Sequence, residues 1–278
     1  MFKKNTGVFF VIFVLAMLFA IPMRTYLVMF DTDAVTGFYT STSVIVPALN
    51  ILLAVATFIM LVPFFFSYLR KVKFVHQRSI PRALLCYVIS VSFFLESGHQ
   101  FYITMISRGD AGSFLICIAD FFSAIFFFMF AGAALSKKAI QFPIAALFPA
   151  FWAVVHLIVS FMHYTTIVNI SEYLYDMLKM VFVMVFLYYH ARYAGGVSNK
   201  RELNGMLAFG LPAVLFSAVS VFPRLIASIS GRNTLTLDMF DDVTYLLIAF
   251  YIVLVLAELL LSRHFTQLAI KKEEVKEA

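Results

Sequence analysis

The chain has 278 residues, of which 63% are hydrophobic and 13% are charged. A soluble domain covers its core with about a quarter charged residues, so this composition excludes a soluble globular protein and predicts one whose main solvent is lipid. The formal net charge of +6 does not indicate nucleic-acid binding. The basic residues stand in short clusters between apolar runs and form no continuous basic face.

The apolar runs predict how the chain crosses the bilayer. A hydrocarbon layer of roughly 30 Å needs about 20 apolar residues in a helix. Eight runs of this kind are separated by short polar connections: 8–30, 44–68, 82–106, 113–135, 143–163, 173–191, 206–230 and 243–262. We therefore predict an all-α polytopic bundle of eight transmembrane helices arranged as four hairpins. Residues 1–278 form one integral membrane domain, with a charged cytoplasmic tail at 263–278.

The basic residues also predict the orientation. Both termini and the even-numbered connections hold 16 of the 21 Lys and Arg residues. Because basic residues in short loops are retained in the cytoplasm, both termini are predicted to be cytoplasmic and the protein to lie in the plasma (inner) membrane. The alternative is a cleaved signal peptide in the first span. No small-x-small cleavage site follows that run, which favours an uncleaved helix.

The third span contains FFLESGHQFY, residues 93–102, which places Glu96, His99 and Gln100 at positions i, i+3 and i+4. This spacing puts them on one helical face. That face is not expected to meet lipid, since an ionised side chain at the bilayer centre costs roughly 2.5 to 3.5 kcal/mol even on low insertion scales.

With the predicted orientation, most other intramembrane polar residues also lie in the outer half of the bundle. We predict one outward-facing polar pocket that combines the three residues above with Arg24, Asp120, Asp176, Lys179 and Arg224. The inner half is predicted to be nearly bare, with only Glu258 near the inner end of the eighth span.

The charges in this pocket predict an ion-pair network. Asp176 and Lys179, three residues apart, are expected to pair on their own helix. That leaves the two arginines of the pocket to face Glu96 and Asp120 across the bundle. Arginine suits this role, because its planar fork binds a carboxylate at two points and stays charged when it loses water.

Three function classes fit these features. The leading one is solute binding or transport through the pocket, with Glu96 as the titrating group, His99 as modulator and the arginines as partners for an anion or carboxylate. The second is a non-catalytic sensor or assembly subunit that acts through a partner protein. The third, an intramembrane enzyme, is ranked last because no activated nucleophile has a matched base.

The expected partners are the lipid bilayer, a small solute or a proton, and a partner membrane or signalling protein, but no nucleic acid. No catalytic residue, cofactor or metal is predicted. The HExxH motif and Cys/His clusters are absent, and Cys86 and Cys117 stand near opposite ends of their helices. His156 and His163 share a face of the fifth span, but a metal site there would need ligands from other helices. We interpret His156 as bonded within the bundle.

Overall fold

The structure is a computed structural model. It describes residues 6–33, 38–39, 43–65, 79–106, 111–136, 143–164, 171–195, 200–231 and 239–277. Within these ranges nearly all residues are helical, and the only strand-like pairing is one isolated β-bridge between Thr32 and Tyr39. Eight of the described helices are long and apolar enough to cross a membrane, which confirms the predicted all-α fold and is compatible with a multi-pass membrane protein. The hairpin arrangement and the sides on which the termini lie stay predictions.

The helices are α1 (Thr6–Tyr26), α2 (Ile45–Phe65), α3 (Ile80–Ile106), α4 (Ala111–Ser136), α5 (Phe148–Tyr164), α6 (Ser171–Ala194), α7 (Lys200–Ile229) and α8 (Met239–Glu277). A π-helix at Leu27–Asp31 follows α1, and a 3₁₀-helix at Pro143–Leu147 precedes α5. Several helices are longer than predicted, most of all α8, because hydropathy marks only the part of a helix that crosses the hydrocarbon layer. α7 starts six residues earlier than predicted, and α8 extends through the charged tail, where Lys, Glu and Ala favour helix.

α7 is the central helix of the bundle and packs against α1, α2, α6 and α8. Its membrane-length segment is 89% buried inside the protein, whereas that of α2 is 22% buried. Small residues permit this close packing. A Cβ added at Gly205 would lie 2.7 Å from the Tyr189 ring of α6, and one at Gly210 would lie 3.1 Å from Ile252 of α8.

A set of fully buried aromatic side chains fills the middle of the bundle. Tyr245 contacts Trp152, Trp152 contacts Phe93, Phe93 stacks on Phe127, and Phe127 meets Tyr251 edge-on, with ring centroids 4.9 to 5.7 Å apart. These five residues, which we call the aromatic layer, come from α3, α4, α5 and α8. Polar residues lie on either side of this layer, toward the two ends of the bundle.

Candidate functional site

Ionisable side chains collect toward the end of the bundle at which α3, α5 and α7 finish and α6 and α8 begin. We call this set the charged centre; its members are Glu96 of α3, His156 of α5, Asp176 and Lys179 of α6, Arg224 of α7, and Asp241 and Asp242 of α8. All are buried except Asp241, whose side chain is 16% exposed. The helices thus place ionisable groups of both signs away from water.

Arg224 joins three helices through two carboxylates. Its two terminal nitrogens donate to the two oxygens of Asp176, at 2.6 and 3.1 Å, and one of them also donates to Asp242. Ser220, one turn earlier on α7, donates a further hydrogen bond to Asp176. Because α7 lies between α6 and α8, the planar guanidinium can bind a carboxylate from each.

Lys179 lies deepest in the centre, with a fully enclosed side chain. Its ammonium nitrogen is 3.1 Å from Asp176 Oδ1, 3.8 Å from Asp241 Oδ2 and 4.0 Å from Asp242 Oδ1. It also lies 4.0 Å from the centroid of the Tyr245 ring, in cation–π geometry. One ammonium group therefore ties α6 to α8 at the edge of the aromatic layer.

These contacts confirm one predicted pair and correct another prediction. Asp176 and Lys179 do pair on α6. The expectation that this pair would leave Arg224 to other predicted carboxylates is wrong, since Arg224 shares Asp176 with Lys179 and takes Asp242 as well. The charges of α6 and α7 are thus linked across the bundle.

Glu96 lies beside His156 and Asp241 from two other helices. One ligand atom of each side chain lies within 4.8 Å of the other two. His156 Nε2 is 3.4 Å from Asp241 Oδ1, and its Nδ1 is hydrogen-bonded to the Tyr245 hydroxyl at 3.0 Å. The imidazole also stacks on Trp152 at 5.5 Å. Both edges and one face of the ring are therefore held, as expected for a histidine bonded within the bundle.

Two of the remaining predicted site residues, Arg24 and His99, contact aromatic side chains outside the charged centre. Arg24 donates a hydrogen bond to the Tyr39 hydroxyl at 2.7 Å and lies 4.9 Å from the Tyr175 ring centroid. Asp120 is fully buried on α4. His99 is half-buried against Phe240, with ring centroids 4.8 Å apart, and Gln100 is also half-buried. The structure thus gathers Glu96, Asp176, Lys179 and Arg224 in the charged centre, and the pocket role of all eight residues stays a prediction.

Asp241, Asp242 and His156 belong to the charged centre but not to the predicted pocket. The two aspartates precede the predicted span 243–262, but in the structure they lie in the first turn of α8. An acidic pair just before an apolar run is a signal for a helix start, where carboxylates are favoured by the helix dipole. His156 carried no comparable signal beyond its place in an apolar span.

A second polar centre lies toward the opposite end of the bundle. Arg82 of α3 pairs with Glu258 of α8 at 3.2 Å, Ser79 also donates to Glu258, and His190 of α6 is hydrogen-bonded to the Tyr251 hydroxyl at 2.8 Å. The prediction that this half is nearly bare is wrong, because Arg82 and His190 are both buried here. Both residues stand at the ends of the predicted spans 82–106 and 173–191, where hydropathy does not indicate that they are buried against α8.

Comparison with protein-family models, curated proteins and solved structures found no significant match. The fold and the charged centre therefore define only a broad class, an all-helical protein compatible with multiple passes through a membrane. What the charged centre can do chemically therefore has to be inferred from the side chains that form it. The charged centre offers carboxylates, an imidazole and two cationic groups, which can bind ions or polar ligands.

Proposed function

We propose that the protein is a multi-pass protein of the plasma membrane that binds a small ligand or ion at the charged centre and uses this binding for sensing. The observation that carries the proposal is the centre itself. Intramembrane ionisable groups are costly, and they usually mark binding sites or ion pathways. Here four carboxylates, an ammonium and a guanidinium come from four helices to one place.

A purely structural role for these charges is the weaker interpretation. Replacing a buried ion pair by apolar residues of similar volume is often neutral or stabilising, so ion pairs are not needed to hold helices together. In this bundle α7 already packs closely through small residues such as Gly205 and Gly210. The charges therefore point to a role beyond assembly.

Unbroken helices favour binding and sensing over transport. Transporters place their sites at helices that are interrupted near mid-depth. Among the residues that the structure describes, α2, α3, α4, α6, α7 and α8 each run as one α-helix, and α7 does so despite Pro212 and Pro223. The aromatic layer lies between the charged centre and the second polar centre, and its five side chains are fully buried.

α8 provides a route from the charged centre to the tail. It is a single helix of 39 residues that starts beside Asp241 and Asp242 and ends at Glu277. At 1.5 Å per residue it is about 58 Å long, more than the thickness of a bilayer. A movement of α8 on ligand binding would also move the predicted cytoplasmic tail, and a partner protein that binds the tail would respond to that movement.

The orientation has its own prediction. A fluorescent protein that folds only in the cytoplasm should be bright when inserted in the connections at 70–81 or 137–142, and dark at 107–110. Alkaline phosphatase, which is active only outside, should give the reverse pattern at the same sites. Phosphatase activity in the 70–81 connection would place the charged centre on the cytoplasmic side and overturn the outward-facing proposal.

The binding function predicts a ligand whose effect depends on Asp176. In a thermal-stability screen of small ions and polar solutes, a compound that raises the melting temperature of the wild type should lose its effect in Asp176→Asn. Glu258→Gln, the same kind of change in the second polar centre, should keep it. Ser220→Ala, which removes only one hydrogen bond to Asp176, tests the site if Asp176→Asn does not fold. A ligand response that is equal in all four proteins would refute the charged centre as the binding site.

Transport is the second candidate, and the second polar centre favours it. A transport route needs polar groups toward both ends, and Arg82, His190 and Glu258 supply them opposite the charged centre. Proteoliposomes distinguish the two functions. A sensor binds the ligand without raising its concentration in the lumen, whereas uptake that exceeds empty liposomes and is lost in Asp176→Asn would establish transport.

A further inference from the structure

Three side chains of the charged centre form a ligand set for a metal ion. We propose that Glu96, His156 and Asp241 bind a divalent transition-metal cation, with Zn²⁺ as the best-matched ion. This inference rests on the proposed function and deepens it, because it names the class of ligand that the charged centre takes. It also departs from the prediction of no metal site: a site at His156 was expected to need ligands from other helices, and Glu96 and Asp241 are such ligands.

The donor chemistry fits such a cation. An imidazole nitrogen and two carboxylate oxygens are ligands that Zn²⁺ accepts in catalytic and exchangeable sites, where three protein ligands leave a position open. Ligand atoms around a tetrahedral zinc lie about 3.3 Å apart, as follows from bond lengths near 2.0 to 2.1 Å. His156 Nε2 and Asp241 Oδ1 are already 3.4 Å apart, and all three ligand atoms lie within 4.8 Å of one another. Closing the set needs only small side-chain movements.

The imidazole is oriented as a metal ligand usually is. A ligating histidine commonly donates its second N–H to a neighbouring acceptor, which fixes the tautomer and the ring. Nδ1 of His156 is bonded to the Tyr245 hydroxyl at 3.0 Å, and when Nδ1 is the donor, the Nε2 lone pair faces Asp241. Stacking on Trp152 holds the ring in that plane.

The two oxygens of Asp241 face different groups, so one can bind the proposed metal ion while the other contacts Lys179. Its Oδ2 lies 3.8 Å from the ammonium nitrogen of Lys179, whereas Oδ1 faces His156. Lys179 thereby holds the carboxylate from the side away from the imidazole.

The charge of the centre also favours a cation. Its described members include four carboxylates, from Glu96, Asp176, Asp241 and Asp242, and two permanent cations, Lys179 and Arg224. In a low-dielectric interior such an excess of negative charge attracts a positive ion strongly. A divalent ion at the three-residue set would balance it within this part of the chain.

The test measures metal binding directly. Full-length protein, freed of affinity tags and stripped with a chelator, is reconstituted in nanodiscs and titrated with Zn²⁺, and retained metal is measured by mass spectrometry. We expect one tightly bound ion per chain in the wild type and at least a tenfold loss of affinity in Glu96→Gln and in Asp241→Asn. Glu258→Gln is the matched control, and its affinity should equal that of the wild type.

Substitution with Co²⁺ gives a second readout that a merely structural role would not change. Its visible absorption reports coordination by nitrogen and oxygen, and the band should weaken or shift in Glu96→Gln. The proposal is overturned if the wild type retains no metal, or if the three variants and the wild type bind it equally.

The outcome separates this site from the proposed function. If no metal binds but another solute stabilises the protein in an Asp176-dependent way, the metal site is wrong and the binding function stands. If Zn²⁺ binds through Glu96 and Asp241 but is taken up into proteoliposomes, the metal site stands and sensing is wrong.

Discussion

Replacing Arg224 with leucine is expected to lower the free energy of unfolding by about 3–5 kcal/mol, the usual effect of removing one partner from a buried ion pair. The guanidinium binds Asp176 at 2.6 and 3.1 Å and also binds Asp242. Without it, Asp176 of α6 and Asp242 of α8 would lie buried near each other, and the described cation beside them would be Lys179. Repulsion between like charges adds to the loss of hydrogen bonds.

The chain carries its own reporter for this measurement. Its only two cysteines, Cys86 and Cys117, are both free and buried, so a fluorophore that reacts with thiols becomes bright as the protein unfolds. Denaturant titrations in mixed micelles then compare the variants. Arg224→Lys should lose less than Arg224→Leu, because it keeps the charge but not the two-point contact.

A further substitution tests the electrostatic explanation. In the Arg224→Leu background, Asp242→Asn removes one of the repelling carboxylates and should restore part of the stability. Two results would contradict this explanation. One is an Arg224→Leu variant as stable as the wild type. The other is a double mutant whose loss of unfolding free energy equals the sum of the losses of Arg224→Leu and Asp242→Asn alone.

The sequence was sufficient to predict the helices because the signal is local. Lipid requires every backbone polar group to be bonded within its own helix, so a span must be a long apolar run, and such runs can be counted. The limits of α7 and α8 were missed for the same reason, since their polar ends extend beyond the hydrocarbon. Lys200 and Glu202 begin α7 although they are charged.

The site was predicted less completely, because its contacts join different helices. Depth along a helix follows from the sequence, and it placed Glu96, Asp176, Lys179 and Arg224 at the same end. Which face of one helix meets which neighbour does not follow from depth. The central position of α7, and hence the sharing of Asp176 between Lys179 and Arg224, depends on how eight helices pack together.

The error about the second polar centre has a similar origin. Arg82 and His190 stand at the ends of the predicted spans 82–106 and 173–191, where a polar residue is expected to face water. In the structure their helices extend further, and Glu258 and Tyr251 of α8 supply the partners. A charged residue at the end of a span is therefore better judged by whether an opposite charge stands at the same depth on another helix.

Lys179→Met is the second substitution with a large expected effect. The change keeps the length of the side chain but removes an ammonium that contacts Asp176, Asp241 and Asp242 at 3.1, 3.8 and 4.0 Å. We expect a loss of stability of about 3–5 kcal/mol, because three carboxylates lose a shared buried partner. In a double-mutant cycle with Asp241→Asn, the double mutant should lose less stability than the two single mutants added together. The difference should be about 0.5–3 kcal/mol, as for groups in direct contact.

The same substitution should act on metal binding with the opposite sign. Lys179 lies 3.8 Å from the far oxygen of Asp241, so its positive charge repels a cation bound to the near oxygen. Removing that charge should raise the affinity for Zn²⁺ at least severalfold in the titration described above, although the protein without metal becomes less stable. Zn²⁺ should then stabilise Lys179→Met more than it stabilises the wild type. An affinity that is unchanged in Lys179→Met would mean that Lys179 only joins α6 to α8 and that the metal, if bound, lies elsewhere.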